Sequence, residues 1–154
     1  MAELAAANIN PRTGLATDYL NHFNEAIMLL EMIPDMPESA ADFLDWQPLS
    51  YREHFAASNF KARDLAIRAY EQSDTAIRAE FDAITDAMTT ILTATGAAMR
   101  EARHDHTRAK LATESVGWVR PLATLASAVI HGSHDEAETD IESIMTQDQE
   151  QDLP

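Results

Sequence analysis

Histidines flanked by carboxylates at helical spacing are the residues in this sequence with the most chemistry to offer. His22 has Asp18 four residues before it and Glu25 three after it, and on a helix that spacing puts all three side chains along one face. His54 stands early in a later helical segment, with Tyr51 and Ser58 on the same side. Two imidazoles and a carboxylate from neighbouring helices make a donor set for zinc, iron or manganese. His22, Glu25 and His54 are therefore the candidate ligands for a divalent metal. The competing expectation is that both histidines are boundary residues with ordinary hydrogen bonds. Height along the bundle favours the second. The two histidines match in height only if their helices run parallel, and an antiparallel pair would separate them by ~10 Å or more. The Glu-x-x-His pair of di-iron bundles is absent.

Other chemistry finds little footing. His104 and His106 lie at one end of a helical hairpin and His131 and His134 at the other, so the two pairs share no site and read as solvated surface. Ser50, Ser58 and Ser115 sit in helical contexts without a strand-turn-helix elbow. The four glycines stand singly and form no phosphate loop. His54 is followed by Phe55-Ala56-Ala57-Ser58, not by the lysine and glycine of a histidine phosphotransfer domain. With no cysteine, disulfides, thiol catalysis and cysteine-bound zinc or iron–sulfur are excluded.

The stretch His106-Thr107-Arg108-Ala109-Lys110-Leu111 resembles the late histidine-rich motif of the DinB-like metal-binding bundles, and His54, following a Trp-containing loop, is similar to their second-helix histidine. The resemblance implies a four-helix bundle with three histidines on a divalent metal. It covers about ten residues. The double histidine and the glycine of the motif are missing and no third ligand is evident, so it is not adopted as an assignment.

The elements that must position these residues are helices. Ile77, Phe81, Ile84, Met88, Ile91, Thr95, Ala98 and Ala102 alternate spacings of four and three, the a/d repeat of a helix laid along another. This helix is predicted to run from Ser73 or Asp74 to about Arg103. A second, from about Thr107 to Ile130, carries a wide apolar face that includes Leu111, Trp118, Leu122 and Leu125, with a kink expected at Pro121. The short connection makes the two a long antiparallel hairpin. Earlier helices are predicted from Leu15 to Ile33, from Pro37 to Trp46, and from Ser50 to Gln72. Ser50 and Glu53 have capping-box spacing. Residues 1–12 read as a loose arm. The predicted fold is all-α: an up-and-down bundle of four long helices plus one short helix in a single domain, residues 1–132, followed by an acidic tail, residues 133–154, that is partly helical or disordered.

Charge bears on partners. The formal charge is −15, and the tail holds eight acids without a lysine or arginine. Such a chain repels phosphate backbones, so nucleic acid is not expected as a partner, while a basic protein surface is electrostatically favoured. With neither a secretory leader nor an apolar run of membrane-spanning length in the sequence, a cytoplasmic protein is expected. The leading expectation is a non-enzymatic interaction or regulatory module, with no cofactor. The alternative is a metal- or small-ligand-binding bundle enzyme on His22, Glu25 and His54. Phe60 and Ile67 fall opposite the core side of their predicted helix, which suggests a homodimer interface. Replacing both, Phe60→Asp with Ile67→Asp, is expected to lower the mass measured by light scattering without unfolding the chain.

Overall fold

The computed structural model describes residues 2–58 and 62–132. These form α1 (Ala2–Ala6), α2 (Asp18–Met32), α3 (Ser39–Asp45), α4 (Tyr51–Ala57), α5 (Arg63–Gln72), α6 (Thr75–Glu101) and α7 (Asp105–Ile130). The described part is all-α, and its one extended pairing is an isolated bridge between Ile9 and Ala16. None of its helices is long and apolar enough to cross a membrane. The tail, residues 133–154, and Phe60 lie outside the described residues.

The helix ends are set by local chemistry. Ser50 and Glu53 close a full capping box on α4, at 3.1 Å and 2.8 Å, satisfying two backbone N–H groups that the helix cannot. The Asp74 carboxylate accepts from the Ile77 N–H at the start of α6. At the other end of α6, Arg108 reaches back from α7 to donate to the carbonyls of Met99 and Ala102. The guanidinium thus serves the last carbonyls of one helix from the first turns of the next, and fixes the sharp reversal between them.

α6 and α7 pack along their length as the predicted hairpin, and α2 lies against α7. Phe81, Ile84, Met88 and Thr95 of the predicted stripe are buried, together with a second row of Leu92, Gly96 and Met99. The buried face is wider than an a/d seam because α6 meets α7 on one side and α3 on the other. Thr95 Oγ1 and Ser115 Oγ meet 3.0 Å apart in the buried seam, a polar pair that penalises any slip in register. The helix assigned to α7 continues through Pro121. Trp118 departs from expectation. It is 70% exposed, because α7 turns Ala112, Ser115, Val119 and Ala126 inward and leaves position 118 on the outer edge.

Two further expectations change. The single helix from Ser50 to Gln72 is two helices, α4 and α5. Ser58 adopts an extended backbone and its hydroxyl donates to the Phe55 carbonyl, the local competition by which serine ends helices. The N-terminal arm is anchored. Within residues 1–12 Ile9 is buried and bridged to Ala16. The arm extends further than predicted, because the helix expected from Leu15 begins at Asp18. Leu15 and Ala16 are buried, and the Thr13 hydroxyl donates to the Ile130 carbonyl at 2.7 Å, tying the arm to the end of α7.

Gly14 is required in this arm. Its φ is +73° and a Cβ there would stand 2.8 Å from the Ala69 carbonyl oxygen. Gly14→Ala is therefore expected to destabilise by about 2 kcal/mol or more. Gly117, within α7 and with nothing near its Cβ position, is the opposite case, and Gly117→Ala is expected to stabilise by about 0.5–1 kcal/mol. Urea unfolding of the two variants beside the parent chain checks both signs.

Candidate functional site

The chemistry-bearing residues converge where α2 meets the connection between α3 and α4. That connection, residues 46–50, is not helical, so its backbone groups need partners from elsewhere. The first turns of α2 supply them. The Leu49 N–H donates to His22 Nε2 at 3.0 Å, and the Leu49 carbonyl accepts from the Tyr19 hydroxyl at 2.7 Å. The Trp46 indole N–H donates to the His22 carbonyl at 3.1 Å. Just past the connection, the Tyr51 hydroxyl accepts from the Ala16 N–H at 2.9 Å.

Aromatic packing closes the cluster. The Trp46 and His22 rings stack with centroids 4.6 Å apart. Tyr19 packs on both Phe23 and Tyr51, and Tyr51 stacks on Tyr70 at 4.4 Å. The Tyr70 hydroxyl donates to the Asp82 carboxylate at 2.8 Å, linking α5 to α6. Such contacts between rings contribute about 0.5–1.5 kcal/mol each beyond the area they bury.

The sequence reading places His22 and His54 in one site, and the structure brings them together, with ring centroids 6.0 Å apart. The height argument against their meeting fails. α4 is a short helix turned against the start of α2, so the spacing of two long antiparallel rods does not apply. Glu25 is not among the convergent groups; it faces solvent on α2. Asp18 is the carboxylate that arrives, and it serves His54: His54 Nε2 donates to its Oδ2 at 2.9 Å. Among the described residues, no group of three or more histidine, aspartate or glutamate side chains is arranged to hold a metal ion. His22 presents Nε2 to the Leu49 N–H, so its lone pair there is already taken.

His106, in the motif resembling the DinB-like bundles, is exposed in the first turn of α7. Asp18 and His54 lie beside the other end of that helix, since residues Leu20 and Asn24 of α2 adjoin Thr124 and Ser127. A helix of this length spans about 39 Å, so His54 and His106 belong to no common centre. Ile67 of the predicted dimer face is half-buried against the core.

Electrostatics agree with a structural use of the cluster. Burial, with a smaller contribution from neighbouring His54, lowers the His22 pKa to about 4. The ring is then neutral near pH 7, as an acceptor from a backbone N–H must be. Burial also raises the Tyr19 and Tyr51 hydroxyls above their ordinary range. Tyr70 is pushed up to about 12 by burial and by its bond to Asp82. Chemically, the Asp18–His54 contact joins α2 to α4, and the rest of the cluster holds backbone in place.

Two cavities lie nearby. One, of about 200 Å³, is lined by Phe43, Trp46, Gly96 and Arg100 among others. A larger one, of about 390 Å³, lies between the N-terminal arm and α5. Neither is lined by His22 or His54. Comparison with known proteins finds no matching family model, no matching curated protein and no matching solved structure.

The depressed His22 value sets a pH dependence. The unfolded chain takes up a proton at this residue near pH 6.5, the folded chain only near 4. Stability from His22 is thus complete above about pH 6.5 and is lost as pH falls toward 4, by about 3 kcal/mol in all. His22→Gln, which keeps an acceptor and removes the titration, is expected to flatten that part of the profile. Urea midpoints measured between pH 7.5 and 4 for the two proteins check it.

Proposed function

We propose that this protein is a helical interaction module that acts by binding another protein. In this reading α2, α6, α7 and the broken rod of α4 and α5 are the members of an up-and-down bundle, and an acidic tail follows. The observation that carries the proposal is a row of exposed methionines. Met28 and Met32, four residues apart on α2, are 54% and 36% exposed, and Met36, in the connection after α2, is 44% exposed. Methionine is unbranched and polarisable, suited to surfaces that accommodate an apolar partner, and it is enriched at protein interfaces.

Charge selects the partner. Between Arg12 and Arg52 there is no lysine or arginine, while Asp18, Glu25, Glu31, Asp35, Glu38, Asp42 and Asp45 all fall in that interval. Glu25, Asp35 and Glu38 are exposed around the methionine row. The matching partner is a basic segment with an apolar stripe, laid along α2 as an amphipathic helix in a groove. The same acidity disfavours two copies of this face meeting. A homodimer through Phe60 and Ile67 is supported less, because Ile67 is half-covered by its own core. A metal- or ligand-handling enzyme on His22, Glu25 and His54 is also supported less, because the ring Nε2 atoms of both histidines are committed within the chain and Glu25 stands apart.

The chain has seven methionines, so their methyl resonances report on the surface directly. Titration with a synthetic amphipathic helix of lysine and leucine is expected to shift the Met28, Met32 and Met36 signals. The buried Met88 and Met99 signals should stay in place. Met28→Glu with Met32→Glu is expected to weaken binding at least tenfold. Equal binding of a glutamate–leucine helix, or shifts centred elsewhere, would overturn the proposal.

A further inference from the structure

The cavity between the N-terminal arm and α5 is bordered by two guanidinium groups, Arg12 from the arm and Arg68 from α5, with Thr13, Gly14, Ala69 and Ser73 between them. Two carboxylates, Glu3 and Asp74, also border it, but that of Asp74 is turned to the Ile77 N–H as the cap of α6. The cavity is open to solvent at the end of the molecule where α7 finishes. Gly132 ends the α7 segment with φ +72°, and a Cβ on it would stand 3.5 Å from the Arg12 guanidinium carbon. Gly132, to which the remaining chain is joined, therefore stands beside one of the two arginines that border this cavity.

The sequence after Gly132 is strongly anionic. Asp135, Glu136, Glu138, Asp140 and Glu142 fall within ten residues of Gly132, and no lysine or arginine follows Gly132 anywhere. Ten residues reach up to about 33–36 Å when extended, and the cavity begins a few ångströms from their start. The acidic stretch from Asp18 to Asp45 on and after α2 repels the same segment. We propose that residues 135–142 dock in cis on the cavity between the N-terminal arm and α5, with Arg12 and Arg68 as the groups that hold their carboxylates. Guanidinium–carboxylate pairs are charge-assisted and often bidentate, which suits a segment with this density of acids. The docked tail joins α5 to the N-terminal arm and the end of α7, the last two already tied by Thr13 and Ile130. The cavity is then a site for acidic peptide, and its occupant is the chain's own C-terminal segment.

The absence of cysteine makes a direct test simple. Ser143→Cys in the full chain gives one attachment point for a nitroxide spin label. At low salt the label is expected to broaden the amide signals of Gly14, Leu65, Ala69 and Ser73 selectively. The broadening should fade in about 0.5 M salt, where screening is nearly complete beyond ~5 Å. It should also fade in the Arg12→Gln, Arg68→Gln double variant, whose far-UV circular dichroism should be unchanged, since both side chains are exposed. A separate synthetic peptide of residues 133–154, added in excess, should compete the effect away. Broadening centred on α2, no selective broadening, or broadening indifferent to loss of both arginines would overturn the assignment.

Discussion

Backbone between α3 and α4 that belongs to no helix must still find hydrogen-bond partners, and α2 provides them through His22 and Tyr19. The N–H and carbonyl of a single residue, Leu49, are met by two side chains one helical turn apart, which pins the connection at one height on α2. Trp46 completes the clasp by donating to the His22 carbonyl and stacking on its ring. Because α4 begins directly after this connection, the same contacts fix where Tyr51 and Phe55 enter the core. An unmet buried N–H or carbonyl costs about 1–3 kcal/mol, so the clasp is worth more as a constraint on geometry than any one of its bonds.

This use of histidine accounts for the ring Nε2 atoms of both residues that the sequence nominates as metal ligands. His22 is kept neutral by burial and spends Nε2 on a backbone donor. His54 spends Nε2 on Asp18. The polar groups of the cluster are spent within the chain, and the exposed part of α2 and its following connection is apolar and acidic: the methionine row with its exposed carboxylates.

The long hairpin is the second fixed frame. Its ends are stitched by side chains crossing between elements, Arg108 onto the last carbonyls of α6 and Thr13 onto the last turn of α7. The protein therefore has its acidic α2 face and its arginine-bordered cavity in different places, one built on helix surface and the other where the N-terminal arm meets α5. The two regions differ in charge, carboxylates around the first and guanidinium groups at the second.

The helical class, the hairpin of α6 and α7, and the capping box at Ser50 were legible in the amino-acid sequence, because each depends on periodicity or on neighbours three to four residues apart. The break at Ser58 was not, since a serine in a helical pattern is tolerated unless the fold turns there. Neither was the exposure of Trp118, which depends on where α6 lies, nor the anchoring of the N-terminal arm, which depends on Ile130 being within reach of Thr13. At the site, residue types alone nominated His22 and His54. Asp18, four residues before His22 in sequence, was drawn to His54 across the α2–α4 contact instead, and Glu25 was left in solvent. Local order follows from the chain's own spacing; which donor meets which acceptor was decided by packing, because those pairs are separated by 27 and 36 residues and only the folded core brings them within bonding distance.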